Sequence, residues 1–597
     1  MTLMQSYSVR QKSDKLRTVG QHYQSFTIMG LISLVLFGGI VWRLAYIQLI
    51  EGSRLRLLAD ENRIRMIAKQ PARGNIFDRK GRILATSRLS KALFVWPNSH
   101  SKEEWAPILQ RISDIINIPV SELVKPIEEV ENGYNSTQQV RIARGLSAAQ
   151  ATLIGEFSNE LPGVEVEYEA VRDYPNGTIA AHVLGYTGEV DHSSLAELKP
   201  KGYRLGDIIG QLGVEAGLES RLRGKWGGRQ VEVDSMGRVM RFLGEEPAQA
   251  GKDVTLTLDL DIQKSAERAL GNTQGAIVVM DPNNGAILAM VSRPTYDPNV
   301  FSQQVTEETW QQVQGADHPF VNRALRGFPP ASTFKIITTV AALKSGKYDP
   351  YTVLQTYPYI VEGGIRFWDW NRAGFGPLGF DGAMAWSSDT FFYQIGLGIG
   401  GEHLIEWTRR FGFGSKTGIE LVAEEDPGLV ADDEWKRKYR GEKWFPGDTV
   451  NLSIGQGFLL ATPVQVAIMN AVPANGGYLV QPHLLKDSEA AKQGKKSLGL
   501  SDEAVDVLQY GLRRVVTSGT GKVMNVTTIP PNAGKTGTAE DPPRLSHAWY
   551  GGYVPYNQPE IVVVVFGENS GGGGGGFAAP MALRVMEDYY KIKKANK

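Results

Sequence analysis

Seventeen consecutive uncharged residues, FTIMGLISLVLFGGIVW (26–42), lie near the start of a chain of 597 residues. His22 and Arg43 bound the run, and LAYIQLI prolongs its apolar character past the arginine. A helix through residues 25–47 is long enough to cross a bilayer with Arg43 near one interface. No small-x-small cleavage pattern follows, and YIQLIEGSRLRLLADENRIR continues as an amphipathic helix, so the run reads as a retained anchor and not a removed leader. Everything downstream must then fold on one side of a membrane. The charges do not say which side. Arg10, Lys12, Lys15 and Arg17 precede the span, while Arg43, Arg54, Arg56, Arg63, Arg65 and Lys69 follow it. The positive-inside bias is therefore undecided or slightly contrary.

The rest of the chain exceeds one ordinary domain, and two to four modules are expected. Lys plus Arg (64) equals Asp plus Glu (64), so no bulk charge draws the protein to nucleic acid. The absence of cysteine excludes disulfides, thiol chemistry and Cys-based zinc sites. Residues 1–24 read as a polar, mobile tail. PARGNIFDRKGRILATS (71–87) predicts strand, turn and strand, with the turn at 78–81. Short helical patterns and polar loops fill 90–165, and residues 166–250 read as strand-rich with a short helix near 216–222. From Lys252 the texture changes. GAIVVMDPNNGAILAMVS (275–292) is a hairpin pattern. GKTGTAE, HAWYGGYVP and IVVVVFGE read as strands, and MALRVMEDYYKIKK closes the chain as a helix. Strands at both ends with helices between predict an α+β module, an antiparallel sheet packed on helices. The glycine run 571–576 reads as a flexible spacer, since it lacks the Lys-Ser/Thr of a phosphate loop.

Three stretches carry candidate chemistry. In FPPASTFK (328–335), two prolines stop any preceding helix, and Ile336, Ile337, Val340 and Leu343 recur at helical spacing after it. Ser332 then sits at a helix start with Lys335 on the same face. A serine is a poor nucleophile until a base takes its proton, and a desolvated, neutral lysine one turn away can do so. The competing reading is a helix cap, and this stretch alone leaves the two even. A decoy shows the cap reading at work: Ser101 with Glu104 fits a capping box ahead of EEWAPILQRI. In AWSSDTFFYQIGLG, Ser387 and Asp389 interrupt an apolar segment read as mid-helix, where buried polar groups need partners. In GKTGTAE, Lys535, Thr536, Gly537 and Thr538 lie on a strand. The glycine there admits close approach by a ligand, and the lysine and hydroxyls suit a carboxylate. A second Lys-Thr-Gly at 416–418 follows a helix in a glycine-rich turn and reads as a loop. S-x-x-K, S-x-N/D and K-T-G in this order match the serine acyl-enzyme set that recognises penicillin.

Across nearly its whole length the sequence resembles the class B, high-molecular-mass penicillin-binding proteins, nearest the elongation type, penicillin-binding protein 2. RGNIFDRKGRILA, RDYPNGTIAAHVLGYTGEV and GQLGVEAGLESRLRG resemble the family's N-terminal and pedestal motifs. FPPASTFK, SSDTFFYQ and GKTGTAE fill its three active-site positions, and DTVNLSIGQGFLLATPVQVA fits its catalytic domain. Two departures stand out. Ala331 replaces a glycine, and Asp389 replaces the asparagine of the wider superfamily. An aspartate accepts but cannot donate, so Asp389 would hold the helix or Lys335 and not donate to a substrate amide.

The resemblance implies a cytoplasmic tail (1–24), a transmembrane helix (25–47), a pedestal or dimerisation-like domain (48–250) with a head near 88–165, and a transpeptidase domain (251–597). It implies a peptidoglycan D,D-transpeptidase with Ser332, Lys335, Ser387 and Lys535 catalytic, and Asp389, Thr536, Gly537 and Thr538 binding substrate. No metal and no cofactor is implied. The implied partners are donor and acceptor stem peptides, β-lactams as covalent inhibitors, and a RodA-like membrane glycosyltransferase of the shape, elongation, division and sporulation (SEDS) family, met through anchor and pedestal. The implied location is the cytoplasmic membrane, N-terminus inside and catalytic domain outside. A D,D-carboxypeptidase or β-lactamase-type hydrolase, and a β-lactam sensor or scaffold, share the same three motifs.

Overall fold

Asp78 sits at the turn read from DRKGR, and its carboxylate is fully buried. It accepts hydrogen bonds from the backbone N–H groups of Lys80, Arg82 and Leu260 and from the Arg82 guanidinium. Those donors hold it ionised, so its pKa falls below the usual range despite the burial that opposes this. Arg82 and Lys80 also pair with Asp259 and Asp261. One turn thus fastens the strands Ile76–Phe77 and Ile83–Val95 to the helix Leu260–Leu270 that opens the C-terminal module.

A computed structural model describes the chain apart from residues 1–3, 57–63, 132–138, 205, 234–238, 304, 306, 316, 422–423 and 596–597. It divides into two compact units. The first comprises Met1–Gln70 and Trp226–Gln249. Its helix Met4–Ala45 continues through a wider turn, Tyr46–Ile50, and its segment Tyr23–Ile50 is long and apolar enough to cross a membrane. The tail read as mobile is helical from Met4 onward. Three antiparallel strands complete the unit, in the order Ile64–Lys69, Gly227–Val233, Val239–Glu246.

The second unit comprises Pro71–Lys225 and Ala250–Lys597. One of its two five-stranded sheets runs Ile287–Arg293, Gly275–Met280, Ile561–Gly567, His547–Val554, Ala533–Ala539, every neighbour antiparallel. The run IVVVVFG is buried on both faces, which is why it reads as continuous and not alternating. Period two still sorts its side chains. Ile277, Val279, Val563 and Val565 meet the helix Ala579–Ala595 and residues of Leu260–Leu270. Val278, Met280, Val562 and Val564 belong to the larger core with Ile336, Val340 and the helix Pro463–Ala474. The expected hairpin at 275–292 is present with a register shift at Val279/Met280. Residues 88–165 build a small core of their own, with Leu93, Trp105, Leu109, Ile112, Leu123 and Ile142. There Ser101 and Glu104 form the expected capping box.

The short helix read near 216–222 is two short helices, Gly213–Gly217 and Glu219–Leu222. Between them and the rest of the unit stands Glu215, fully buried. Its two oxygens meet Arg73 Nε and Arg172 Nε, each at 2.6 Å. Burial alone would raise its pKa, but the two guanidiniums hold it below the usual range. A carboxylate depressed in the folded state stabilises above its unfolded pKa, and that stabilisation is lost as pH falls through the folded value. Glu215→Gln leaves the buried Arg172 guanidinium without its carboxylate and Arg73 with Glu219 alone. Denaturation is expected to show a loss of about 3–5 kcal/mol at neutral pH, shrinking as both proteins are taken to acid pH. A neutral-pH change under ~1 kcal/mol would refute this role for the clamp.

Candidate active site

The Ser332 turn is pinned before it begins. Phe328 exchanges backbone hydrogen bonds with Ala461, Pro329 O accepts from the Trp549 indole, and Ala331 N–H donates to Gly455 O. Ala331 takes a left-handed conformation, φ +50°, where the resemblance expects glycine. That costs an L-residue roughly 1–2 kcal/mol, and the surrounding bonds hold it. Residues Ala331–Phe334 form a 3-10 turn, and the α-helix Lys335–Lys344 follows. Neither helical start has a side-chain cap, and Ser332 Oγ has no hydrogen-bond partner among the described residues. Thr333, not Ser332, turns back to the chain, donating to Pro330 O. The cap reading of Ser332 therefore fails.

Lys335 is fully buried, and its amine donates to Ser387 O (2.8 Å), Ser387 Oγ (3.2 Å) and Asp389 Oδ1 (2.7 Å). These contacts use all three N–H bonds of an ammonium. The lysine expected to be neutral is thus ion-paired. The amine pushed toward neutrality is Lys535, also fully buried. Burial is the chief cause of its lowered pKa, the neighbouring Lys335 charge adds to it, and Asp389 opposes it. Lys535 Nζ donates to Ser387 Oγ at 2.8 Å and to Thr536 O at 3.0 Å. One hydroxyl oxygen is thus shared by two lysines.

Ser387 is not mid-helix, as its apolar surroundings suggested. The helix Phe380–Trp386 ends on it with φ +55°, Ser388 caps the next helix by accepting from Phe391 N–H, and Asp389–Ile399 starts there. The break turns Ser387 Oγ and the Asp389 carboxylate to the same amine. Behind it Asp369, fully buried, accepts from Ser388 Oγ, Thr390 N–H and Thr390 Oγ1 at 2.8–2.9 Å.

Lys535, Thr536, Gly537 and Thr538 lie on the sheet's edge strand. A side chain at Gly537 would come within 3.3 Å of Pro330 O and Thr333, so the missing Cβ lets the strand close on the Ser332 turn. Thr536 Oγ1 is 2.6 Å from Thr520 Oγ1. Thr538 is exposed, and its hydroxyl accepts from Gly574 N–H at 3.2 Å. The glycine run is therefore more than a spacer. Residues Gly574–Ala578 form a wide helical turn packed on this strand, and a Cβ at Gly574 would lie 2.7 Å from Gly537 N and O. The decoy at 416–418 is the loop it was read as, with Thr417 N–H on Glu425 and Gly418 at φ +80°. Among the described residues no cluster of His, Cys, Asp or Glu is placed to hold a metal.

Sequence reasoning brought out the four polar groups that meet, but not Asp369, Thr520 or Gly455. The first two lie in unremarkable loops, and only the fold brings them to the site. Gly455, in NLSIGQGF, stands at φ +76°, and a Cβ there would lie 2.3 Å from Ala331 O and 2.6 Å from Phe334 Cβ.

A family model described as the penicillin binding protein transpeptidase domain matches residues 275–587, and one described as the penicillin-binding protein dimerisation domain matches 68–256. A protein named peptidoglycan D,D-transpeptidase MrdA from Acinetobacter baumannii is 32% identical over 96% of this chain and 88% of its own length. A complex of penicillin-binding protein PBP2 with MreC from Helicobacter pylori superposes with a TM-score of 0.81 at 29% identity, over 89% of this chain and 100% of that one. A structure titled for the coordination of polymerization and crosslinking by a peptidoglycan synthase complex gives 0.70 at 33%, over 96% and 98%. The chain belongs to the penicillin-binding protein transpeptidases.

Gly455→Ala is expected to cost about 1–3 kcal/mol through the strained φ and the clash under the Ser332 turn. Penicillin acylation, timed well below the melting temperature, should fall at least about tenfold, since small misplacements of a reacting group cost that much. Unchanged acylation would show that Gly455 does not set the position of Ser332.

Proposed function

We propose that this protein is a peptidoglycan D,D-transpeptidase of cell-wall elongation, with Ser332 as its nucleophile. The observation that carries the assignment is an uncapped, unpartnered serine hydroxyl one turn from a buried Lys335–Ser387–Lys535 chain. Ser332 Oγ attacks the carbonyl between the two terminal D-alanines of a donor stem peptide. Its proton passes to Lys335, the C–N bond breaks, and D-alanine leaves as the amine with a proton relayed through Ser387. The acceptor stem's amine then attacks the ester, an amide forms, and Ser332 recovers its proton.

Lys335 must be neutral to act as the base, and the chain supplies a route. Lys335 passes a proton to Ser387 Oγ as the Ser387 hydroxyl, turned to donate to the Lys535 lone pair, passes its own to that buried amine, which gains it on approach of the negatively charged donor. Asp389 favours the ammonium that Lys335 becomes as Ser332 attacks, so it stabilises charge where charge develops. Ser332 and Thr538 N–H groups form the oxyanion hole, and Lys535, Thr536 and Thr538 hold the terminal carboxylate, with Gly537 permitting the approach. β-Lactams enter as donors and remain on Ser332.

The segments 1–24, 25–47, 48–250 and 251–597 serve as cytoplasmic tail, anchor, pedestal and catalytic domain. The N-terminus lies in the cytoplasm and the catalytic domain outside the cytoplasmic membrane, where the substrate is. A RodA-like SEDS glycosyltransferase supplies the strands, meeting the anchor and the pedestal near 60–85 and 166–225. The likeness to a structure titled as a peptidoglycan synthase complex supports this reading.

Ser332→Ala is expected to lower penicillin acylation about a thousandfold or more. Mass spectrometry should place the wild-type adduct on Ser332, and an adduct on another serine would overturn the assignment. Asp389→Asn tests the charge logic. The carboxylate favours protonated Lys535, so its removal lowers that pKa further. The rising limb of acylation against pH should then move to lower pH, and a limb that stays or moves up refutes the coupling.

A further inference from the structure

Trp386, the residue before Ser387, is 39% exposed, and Trp370 is 55% exposed. Isolated exposed aromatics are ordinary, but these two belong to one surface. The Trp370 indole N–H donates to Trp386 O at 2.9 Å. The Phe375 ring stacks on Trp386, centroids 6.1 Å apart at 24°, and packs 5.6 Å from Trp370. The Arg372 guanidinium lies 4.4 Å over the Trp368 ring and has no carboxylate partner among the described residues. Asp369, within the same stretch, ties the surface through its buried carboxylate to Ser388 and Thr390, on the turn that carries Ser387.

We propose that this aromatic surface seats the acceptor strand of the cross-linking reaction. A pyranose ring of the glycan lays its C–H face on Trp370 and Trp386, and an anionic group of the same strand pairs with Arg372. It rests on the transpeptidase reading and deepens it. The acyl group on Ser332 awaits an amine delivered beside Ser387, and the strand bearing that amine must pass the neighbouring Trp386. The Trp370 N–H is already spent inside the protein, so its indole offers a flat face and no donor. That suits a ring partner better than the enclosed, desolvated pocket of a protein hot spot. The unpaired guanidinium complements the carboxylates of a stem peptide. Anchoring through Asp369 keeps the platform in register with the reacting groups.

The test uses the full chain in detergent, with uncross-linked peptidoglycan strands bearing pentapeptide stems as substrate. Trp370→Ala and Arg372→Ala are compared with the unaltered protein in three reactions: acylation by a fluorescent penicillin, exchange of the terminal D-alanine for a labelled free D-amino acid, and strand-to-strand cross-linking. The first two need no acceptor strand and should stay within about twofold. Cross-linking should fall at least fivefold and recover in part at high strand concentration. Unchanged cross-linking overturns the proposal. So does an equal fall in all three reactions, which marks a structural role. A changed oligomeric state of Trp370→Ala by light scattering would make the surface a protein interface and overturn it too. Failure of the Ser332 assignment is read separately, as an adduct on another serine of the unaltered protein.

Discussion

Two amines share one oxygen. Ser387 Oγ lies within hydrogen-bonding distance of Lys335 and Lys535, both fully buried, with one carboxylate, Asp389, against Lys335. Two ammonium ions and one carboxylate in a low-dielectric pocket leave an excess positive charge that burial penalises heavily. The group that yields is Lys535, which has no direct carboxylate partner among the described residues and feels both desolvation and the Lys335 charge. The pocket thus sets an amine pushed toward neutrality beside an ion-paired one, with a hydroxyl between them. On the proposed mechanism a substrate carboxylate brought to Lys535 changes that balance, so binding and activation of Ser332 would draw on the same charge.

This arrangement depends on three places where the backbone leaves regular structure. Ala331 and Ser387 adopt left-handed conformations and Gly455 sits beneath the first of them. The first two place polar groups that a continuous helix would turn away: Ser332 half-buried at the helix start, Ser387 Oγ and Asp389 onto one amine. Strain of this kind persists only where neighbours overdetermine it. Trp549, Ala461 and Gly455 do so on one side, and Asp369 does so on the other. The sheet contributes rigidity of a different sort. Its edge strand carries Lys535 past the Ser332 turn at a distance that the missing Cβ of Gly537 eases.

What the sequence made legible follows from range. The 78–81 turn, the 275–292 hairpin and the Ser101 capping box depend on residues within a few positions of one another, and each is present. The order of the three motifs placed Lys335, Ser387, Asp389 and Lys535 in one cluster, because that pattern encodes a chemistry and not a local conformation. The misreadings share another cause. Ser387 lies among apolar residues that look helical, yet the chain breaks there to satisfy a buried amine 52 residues away in sequence. The 571–576 glycines look like a spacer until the strand they pack on is known. Which lysine is pushed toward neutrality is a property of the assembled charges, and no spacing of residues records it.

Asp389 shows why the ionic state matters more than the motif. An asparagine at that position would offer a donor to substrate and leave Lys335 without its carboxylate partner. The aspartate instead offers Lys335 a fixed counter-charge, which holds its helix turn, the Ser387 turn and the amine in one geometry before substrate arrives. On the proposed mechanism the cost is that Lys335 must be released from this ion pair before it can accept the Ser332 proton. A site working by that mechanism would favour reaction when a carboxylate-bearing donor has already docked at Lys535, and disfavour it when the cleft is empty. Selectivity for the correct donor then comes partly from the proton inventory of the pocket, and not only from the shape of its walls.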